Sequence, residues 1–149
     1  MNSHRYALHH ALYEVVLTTA GAHRALAALN PPLPVALPQP GWGRMLFLLD
    51  RGDELVDQPN QIEHRRTRCV IGALVRAGVS AALDVDQLHF ATRIAMRGAR
   101  TALAQIDRDK PAPILREVQI EPELRDLKSD GALLLSAYEI EYFETYPEA

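Results

Sequence analysis

The chain has 149 residues, 48% of them apolar, which is typical of one domain that buries a core of its own. A single cysteine excludes an internal disulfide framework. Sixteen Lys and Arg against 19 Asp and Glu leave a formal charge of −3, which argues against a dedicated nucleic-acid binder. The apolar runs are far shorter than the roughly 20 residues of a membrane span. We therefore expect one soluble, cytoplasmic domain over residues 1–149 that binds neither a membrane nor a specific nucleic-acid sequence.

Residues 1–30 predict an N-terminal helical region. Apolar side chains recur every three or four positions from Ser3 to Thr19, and Ser3 is placed to act as the N-cap. A second helical stretch is predicted over Ala20–Leu29, where the following prolines end it.

Residues 31–43 predict an extended connector, because five prolines lie between Pro31 and Pro40. The simplest role of this segment is to follow the protein surface, with Trp42 packed as an anchor. The alternative is an adaptor role in which Pro31–Pro40 docks on the groove of another protein.

Residues 44–149 predict an α+β core that opens with two strands. Met45–Leu49 is a continuous apolar run closed by a turn at Asp50–Asp53. Arg65–Arg76 alternates, and both its Cys69 side and its Val70 side are apolar at the centre. We expect this second strand to be covered on both faces.

A long helix and two further strands complete the predicted core. The helix begins with a capping box at Asp84 and runs to about Ile106. Its predicted buried stripe is Leu88, Thr92, Ala95, Ala99, Ala102, Leu103 and Ile106. The strands are Ile114–Ile120 and Ala132–Tyr146, which a turn at Asp130 and Gly131 would pair antiparallel. The prediction is an α+β fold: a single mixed, mainly antiparallel sheet of about four or more strands packed against a long helix, with an N-terminal helical region.

Motifs for catalysis, phosphate binding or metal binding are missing from the sequence, so we predict no catalytic, cofactor-binding or metal-binding residues. The open alternative is a small-molecule-binding or enzymatic α+β domain that uses Cys69 or a histidine in a cleft. Neighbouring arginines would activate that thiol if it were exposed, with His64 or His89 as the base. Strand alternation instead favours a buried, inert Cys69.

Charge patterning points to contacts between copies. Arg93, Arg97 and Arg100 are spaced to form one basic stripe on the long helix, and Glu139, Glu141 and Glu144 crowd the last strand. A basic face on one copy that meets an acidic face on the next is a heterologous contact, which closes into a ring. The simpler interpretation is a mixed, solubilising surface.

Five segments carry a family resemblance, and they end with a strand rich in tyrosine and glutamate. The segments are Leu8–Val16, Met45–Gly52, Arg65–Arg76, Asp84–Ile106 and Tyr138–Thr145. In this layout the chain resembles the tail terminator and tail completion (minor tail) proteins of long-tailed bacteriophages and prophages. Its long Pro-rich connector and extended N-terminal helical region depart from the family.

The resemblance implies a hexameric ring on the head-proximal end of the tail tube, which stops polymerisation and helps to join the head. The implied partners are other copies of the chain, the tail tube protein and the head–tail connector. The implied locations are the host cytoplasm during assembly and then the virion tail.

Such a cap works through interfaces and needs no catalytic group. Asp50–Pro59 and Glu123–Asp130 are the predicted tube-contact loops, because both are polar and flank strands. The candidate tube-contact residues are Asp50, Arg51, Asp53, Glu54, Arg125 and Asp126. Glu139, Glu141 and Glu144 are also candidates to line a DNA-repelling pore.

Overall fold

The structure is a computed structural model, and it describes residues 3–38, 41–125 and 131–146, with only the backbone described at residue 125. The helices are α1 (His4–Ala22), α2 (Ala81–Ala104) and α3 (Pro122–Arg125), and the strands are β1 (Leu26–Leu29), β2 (Arg44–Asp57), β3 (Glu63–Arg76), β4 (Ile114–Val118) and β5 (Gly131–Glu144). A short 3-10 turn, Pro59–Gln61, joins β2 to β3. Within these ranges no helix is long and apolar enough to cross a membrane.

One five-stranded sheet organises the chain, in the order β1, β2, β3, β5, β4. Only the β1–β2 pair is parallel, and the other three pairs are antiparallel. The central strand β3 pairs with β5 along its whole length, from Glu63 opposite Glu144 to Arg76 opposite Gly131. This confirms the predicted α+β class with a mixed, mainly antiparallel sheet.

The two long helices cover one face of the sheet and form the larger core with it. Its buried members include Leu8, Leu12 and Val16 of α1, Leu88, Met96 and Leu103 of α2, and Ile71, Ile140 and Tyr142 of the sheet. Ser3 caps α1 as predicted, because its hydroxyl accepts the Tyr6 N–H at 3.0 Å.

A smaller core lies on the opposite face, under the Pro-rich connector and α3. Val35 of the connector and Leu124 of α3 pack there against Phe47, Val70 and Leu74. Strand β3 is therefore covered on both faces, as its two apolar sides predicted: Cys69 and Ile71 face the helices, and Val70 and Leu74 face the connector.

The predicted second helix over Ala20–Leu29 is wrong. Helix α1 ends at Ala22, the backbone reverses through Arg24 at φ 54°, and Leu26–Leu29 forms β1. A four-residue apolar run suits a helical turn and a buried strand equally, and here the free edge of β2 provides hydrogen-bond partners.

The predicted turn at Asp50–Asp53 is also wrong. Strand β2 continues to Asp57 through a register shift between Asp50 and Asp53, where Gly52 adopts φ 103°. A positive φ at glycine is typical of a β-bulge as well as of a turn. Strands β2 and β3 continue to pair past the bulge, so their hairpin extends beyond the core.

Helix α2 begins at Ala81, three residues before the predicted capping box. The Asp84 carboxylate instead accepts the Ser80 hydroxyl at 3.2 Å. Met96 belongs to the buried stripe, whereas Ala102 is exposed.

The pairing of β4 with β5 is antiparallel as predicted. Helix α3 lies in the connection between them, and the predicted turn residue Asp130 is outside the described residues.

Candidate assembly interface

The predicted arginine stripe lies along one flank of α2. Arg93, Arg97 and Arg100 are all exposed and line a cleft of about 150 Å³ between α2 and β4. The remaining lining residues are Met96, Leu115, Arg116, Glu117 and Tyr138. Helical spacing alone brings the three arginines together, as the sequence predicted.

The cleft keeps an excess of positive charge. Arg93 Nε lies 3.2 Å from Glu117 Oε1, but Arg97 and Arg100 form no ion pair with any described residue. Burial raises the pKa of Tyr138 at the cleft wall to about 12, so its hydroxyl is neutral at physiological pH. The arrangement suits a carboxylate or another anion from a partner.

Glu139 and Glu141 are largely covered and do not form an exposed acidic patch. Their side chains are only 10% and 17% exposed. Glu139 accepts Arg68 Nε at 2.9 Å and Arg116 Nε at 3.2 Å. Glu141 accepts Arg66 at 2.9 Å and Arg116 at 2.8 Å, and the Arg66 guanidinium holds the pKa of Glu141 below its ordinary value.

These pairs run across the sheet as a ladder. Arg66 is opposite Glu141 and Arg68 is opposite Glu139 between β3 and β5, while Arg116 on β4 is opposite Glu139. Directly opposed charges of opposite sign stabilise an antiparallel pair. The two carboxylates are therefore already neutralised inside the chain.

Glu144 is 7% exposed and has a structural role. Its carboxylate accepts the backbone N–H of His4 at 3.2 and 3.3 Å, where the first turn of α1 has no internal partner. The last strand is thereby joined to the first helix. A place for Glu139, Glu141 and Glu144 in a subunit contact or a pore stays a prediction.

The candidate tube-contact residues on β2 belong to a strand and its bulge. Asp50 pairs with Arg5 at 2.6 Å, and Arg51 pairs with Glu121 at 2.6 Å. Both contacts fix the bulge against the rest of the molecule.

The same pairing continues towards the end of β2. Asp53 binds Arg65 at 2.6 Å and accepts the Tyr142 hydroxyl at 2.8 Å. Glu54 lies 3.1 Å from Arg66. The second predicted loop, Glu123–Asp130, is wrong at its start, because Glu123–Arg125 belong to helix α3. The side chain of Arg125 and residues 126–130 are outside the described residues.

The hairpin beyond the bulge ends in an apolar tip that the sequence patterns did not single out. Leu55, Val56 and Ile62 are 48%, 42% and 40% exposed. The sequence does contain a signal for this tip: Leu55 and Val56 lie between two acidic residues, and a turn exposed to solvent does not require apolar side chains. These three residues belong to neither hydrophobic core.

A second exposed apolar set lies on α2, opposite its buried stripe. Leu83, Phe90 and Ile94 are 71%, 59% and 57% exposed. The sequence contains a signal for this set, because Leu83, Phe90 and Arg97 are spaced seven residues apart and therefore lie on one stripe of a helix.

Cys69 is buried, as its position in the strand predicted. It is 2% exposed, and burial raises the pKa of its thiol to about 12. A cleft of about 180 Å³ on the opposite face includes Cys69 in its wall, although the side chain packs in the helix-side core.

The two candidate bases have other contacts. His64 stacks on Phe143, and His89 Nε2 lies 2.5 Å from the Ser136 hydroxyl. Over residues 3–38, 41–125 and 131–146 no three metal-ligating side chains converge. The geometry therefore lends no support to the thiol alternative.

The Pro-rich connector packs on the sheet through a different residue from the one predicted. Val35 is 1% exposed in the smaller core, whereas Trp42 is 41% exposed. The predicted packing of Trp42 as an anchor is wrong. Its backbone carbonyl accepts a hydrogen bond from the Arg76 side chain at 2.6 Å, and this bond, not the indole ring, holds the loop.

Comparison with known proteins gives a match at the level of the fold. No family model matches the chain, and no curated protein matches it significantly. Among solved structures, the fold is similar to that of the sheath/tube terminator, in its extended state, of PVC, an extracellular contractile injection system. The TM-score is 0.50 at 10% sequence identity.

The match covers 90% of this chain and 56% of the terminator chain, so this chain spans little more than half the length of that protein. At such low identity the similarity establishes a terminator-like fold and nothing about the residues that act.

Proposed function

We propose that the chain caps the tube of a tail-type particle as a ring of copies and contributes to head–tail joining. The observation that carries the proposal is the similarity of its fold, over 90% of its length, to a sheath/tube terminator. The proposed partners are further copies, six in all as in the hexamer of the resembled family, together with the tube protein and the head–tail connector. The proposed locations are the host cytoplasm during assembly and then the tail.

The physical requirement for a cap is two different surfaces. A growing tube exposes a ring of unsatisfied contacts at its end, and a protein that matches this ring without reproducing it stops growth. The proposed tube-facing residues are Asp50, Arg51, Asp53 and Glu54. They lie at the bulge of β2 and just beyond it, and their ion pairs join this segment to α1, to β3 and to Glu121. Arg125 and Asp126 are proposed to share the tube-facing role.

The ring requires contacts between unlike faces of successive copies. The arginine cleft on α2 supports such a contact, since Arg97 and Arg100 keep their charge free among the described residues. Because Glu139 and Glu141 already pair with arginines of their own chain, we propose that the carboxylates facing the cleft come from another segment of the neighbouring copy.

An end-binding assay tests the proposal. Purified chain is added to tail tubes isolated from the bacterium that encodes it, and tube ends are examined by negative-stain electron microscopy before and after fresh tube protein is supplied. We expect extra density at one end of each tube and no further growth there. Binding along the length of the tube, or growth that continues from both ends, would contradict the proposal.

A further inference from the structure

The outer side of α2 carries a mixed apolar and basic surface, here called the α2 face: Leu83, Phe90, Ile94 and Arg97. These residues share one stripe of the helix, directed away from the sheet. Their three apolar side chains are more than half exposed. Contiguous exposed apolar residues rimmed by charge mark interaction sites, and aromatic residues and arginine dominate the energetics of interfaces.

The end of the β2–β3 hairpin carries the complementary surface, here called the hairpin tip: Leu55, Val56, Asp57 and Ile62. The apolar members are 40–48% exposed. Asp57 is exposed, and its carboxylate accepts the N–H of the adjacent Gln58 at 2.8 Å. Within the described ranges Asp57 forms no ion pair, so its charge is free.

The hairpin tip lies far from the N-terminal end of the α2 face, which carries Leu83. Strands β3 and β5 pair over 14 residues, from Glu63 beside the hairpin tip to Arg76, which the start of α2 follows closely. At about 3.3 Å per residue this separation is roughly 45 Å. The tip therefore cannot fold back onto the Leu83 end of its own α2 face.

We infer that the hairpin tip of one copy seats on the α2 face of the next copy, with Asp57 facing Arg97. The inference rests on the proposed ring and names the contact that builds it. Two α2 faces together would oppose like charges at Arg97, and two tips together would oppose like charges at Asp57. Tip against face instead pairs opposite charges and covers apolar surface on both sides.

A charge swap tests the pairing of Asp57 with Arg97. Arg97→Asp and Asp57→Arg are each expected to weaken self-association at least about tenfold, measured by sedimentation velocity over a concentration series at low salt. The double variant is expected to recover most of the loss. Arg108→Asp, which reverses an exposed charge outside both surfaces, is the matched control. Equal effects of the control and the two single variants would overturn the inference.

A mixing experiment tests whether the contact is heterologous. One variant, Phe90→Ser with Ile94→Ser, loses the α2 face, and the other, Leu55→Ser with Ile62→Ser, loses the hairpin tip. Each alone is expected to be a monomer, and the mixture is expected to form a one-to-one dimer that grows no further. Ile114→Ser, which removes an exposed apolar side chain on β4, is the control and should assemble normally.

Circular dichroism and thermal unfolding establish that each variant is folded. Normal assembly of either variant alone, or a wild-type chain that stays monomeric at millimolar concentration, would overturn the inference. If the surface variants still cap tubes like the wild type, the named contact is wrong while the capping function stands. If the wild type itself does not bind tube ends, the proposed function fails.

Discussion

The ring of Phe47 covers the backbone of Gly72 on the neighbouring strand. The two residues are direct partners in the β2–β3 register, and Phe47 is fully buried in the smaller core. A Cβ atom at residue 72 would collide with the phenyl ring. The strand therefore needs glycine at this position because the aromatic ring occupies the space of its side chain.

Gly72→Ala is expected to lower the free energy of unfolding by about 1–3 kcal/mol, because the added methyl group overpacks a filled core. Urea unfolding followed by circular dichroism measures the change. Gly98→Ala is the matched control, since Gly98 is exposed in α2 with open space around its Cβ position. The control should instead gain about 0.5–1 kcal/mol. A Gly72 variant as stable as the wild type would show that the ring moves aside freely.

Glu139→Gln is expected to destabilise the fold by about 1–2 kcal/mol, because it removes a charged acceptor from Arg68 and Arg116 that is 10% exposed. The partial exposure of both arginines keeps the loss below that of a fully buried pair. Chemical unfolding at low and high salt is the measurement, and salt should reduce the difference from the wild type.

Glu123→Gln is the control for this carboxylate. Its side chain is 65% exposed and lies 3.5 Å from Arg51, so its loss should cost less than about 0.5 kcal/mol. Equal losses from the two substitutions would mean that the ladder across the sheet contributes no more than an ordinary surface pair.

The parts of the fold that were predictable are those with long periodic patterns. Strand β5 and helix α2 each repeat their pattern over 14 and 24 residues, so period alone distinguishes them. Strand β1 has four residues, and its identity depends on the edge of β2, which sequence spacing does not reveal. The sequence predicted a turn at Gly52, because the residues Asp50–Asp53 have a composition that suits a turn and a bulge equally.

The candidate interface was also predictable from the sequence only in part. Helical spacing fixes Arg93, Arg97 and Arg100 on one flank of α2, so their proximity was predictable. The neutralisation of Glu139 and Glu141 depends on which residues of β3 and β4 lie opposite them, and that register comes from tertiary packing. Composition counts charges but does not say which are already paired.

Mild acid is expected to destabilise the protein through His9. Burial lowers the pKa of His9 below its ordinary value of 6.5, with Arg5 adding to the shift and Asp50 and Asp53 opposing it. Below pH 6.5 the unfolded chain therefore binds more protons than the folded one, and the free energy of unfolding falls as the pH falls. Burial lowers the pKa of His4 and His89 as well, so they act in the same direction.

His9→Gln should flatten this dependence while keeping a polar partner for the Thr67 hydroxyl, which lies 2.7 Å from His9 Nε2. Unfolding free energies between about pH 5 and pH 8 measure it. Thr18→Gln, which changes an exposed residue of α1 that carries no charge, is the control and should leave the profile unchanged. A His9 variant with the full wild-type slope would assign the acid sensitivity to other groups.

Cys69 is expected to resist thiol reagents in the native state, because it is buried and its pKa is raised to about 12. Labelling should become fast only when denaturant unfolds the chain. Thr101→Cys places a second thiol at an exposed position of α2 and should label at once, as an internal reference. Rapid native labelling of Cys69 would instead favour the small-molecule-binding or enzymatic alternative.

Reversing Arg97 and Arg100 together to Glu is expected to abolish ring assembly and leave the monomer folded. Both side chains are exposed in the cleft beside β4 and hold no ion pair in the described part of the chain, so folding loses little. Sedimentation velocity and the tube-end assay measure assembly, and thermal unfolding measures the fold. Arg24→Glu with Arg108→Glu makes the same change in net charge at two exposed positions outside the cleft. If the two double variants lose capping to the same extent, net charge and not the cleft governs assembly. If the Arg97 and Arg100 variant caps tubes like the wild type, the α2 flank is not part of the ring.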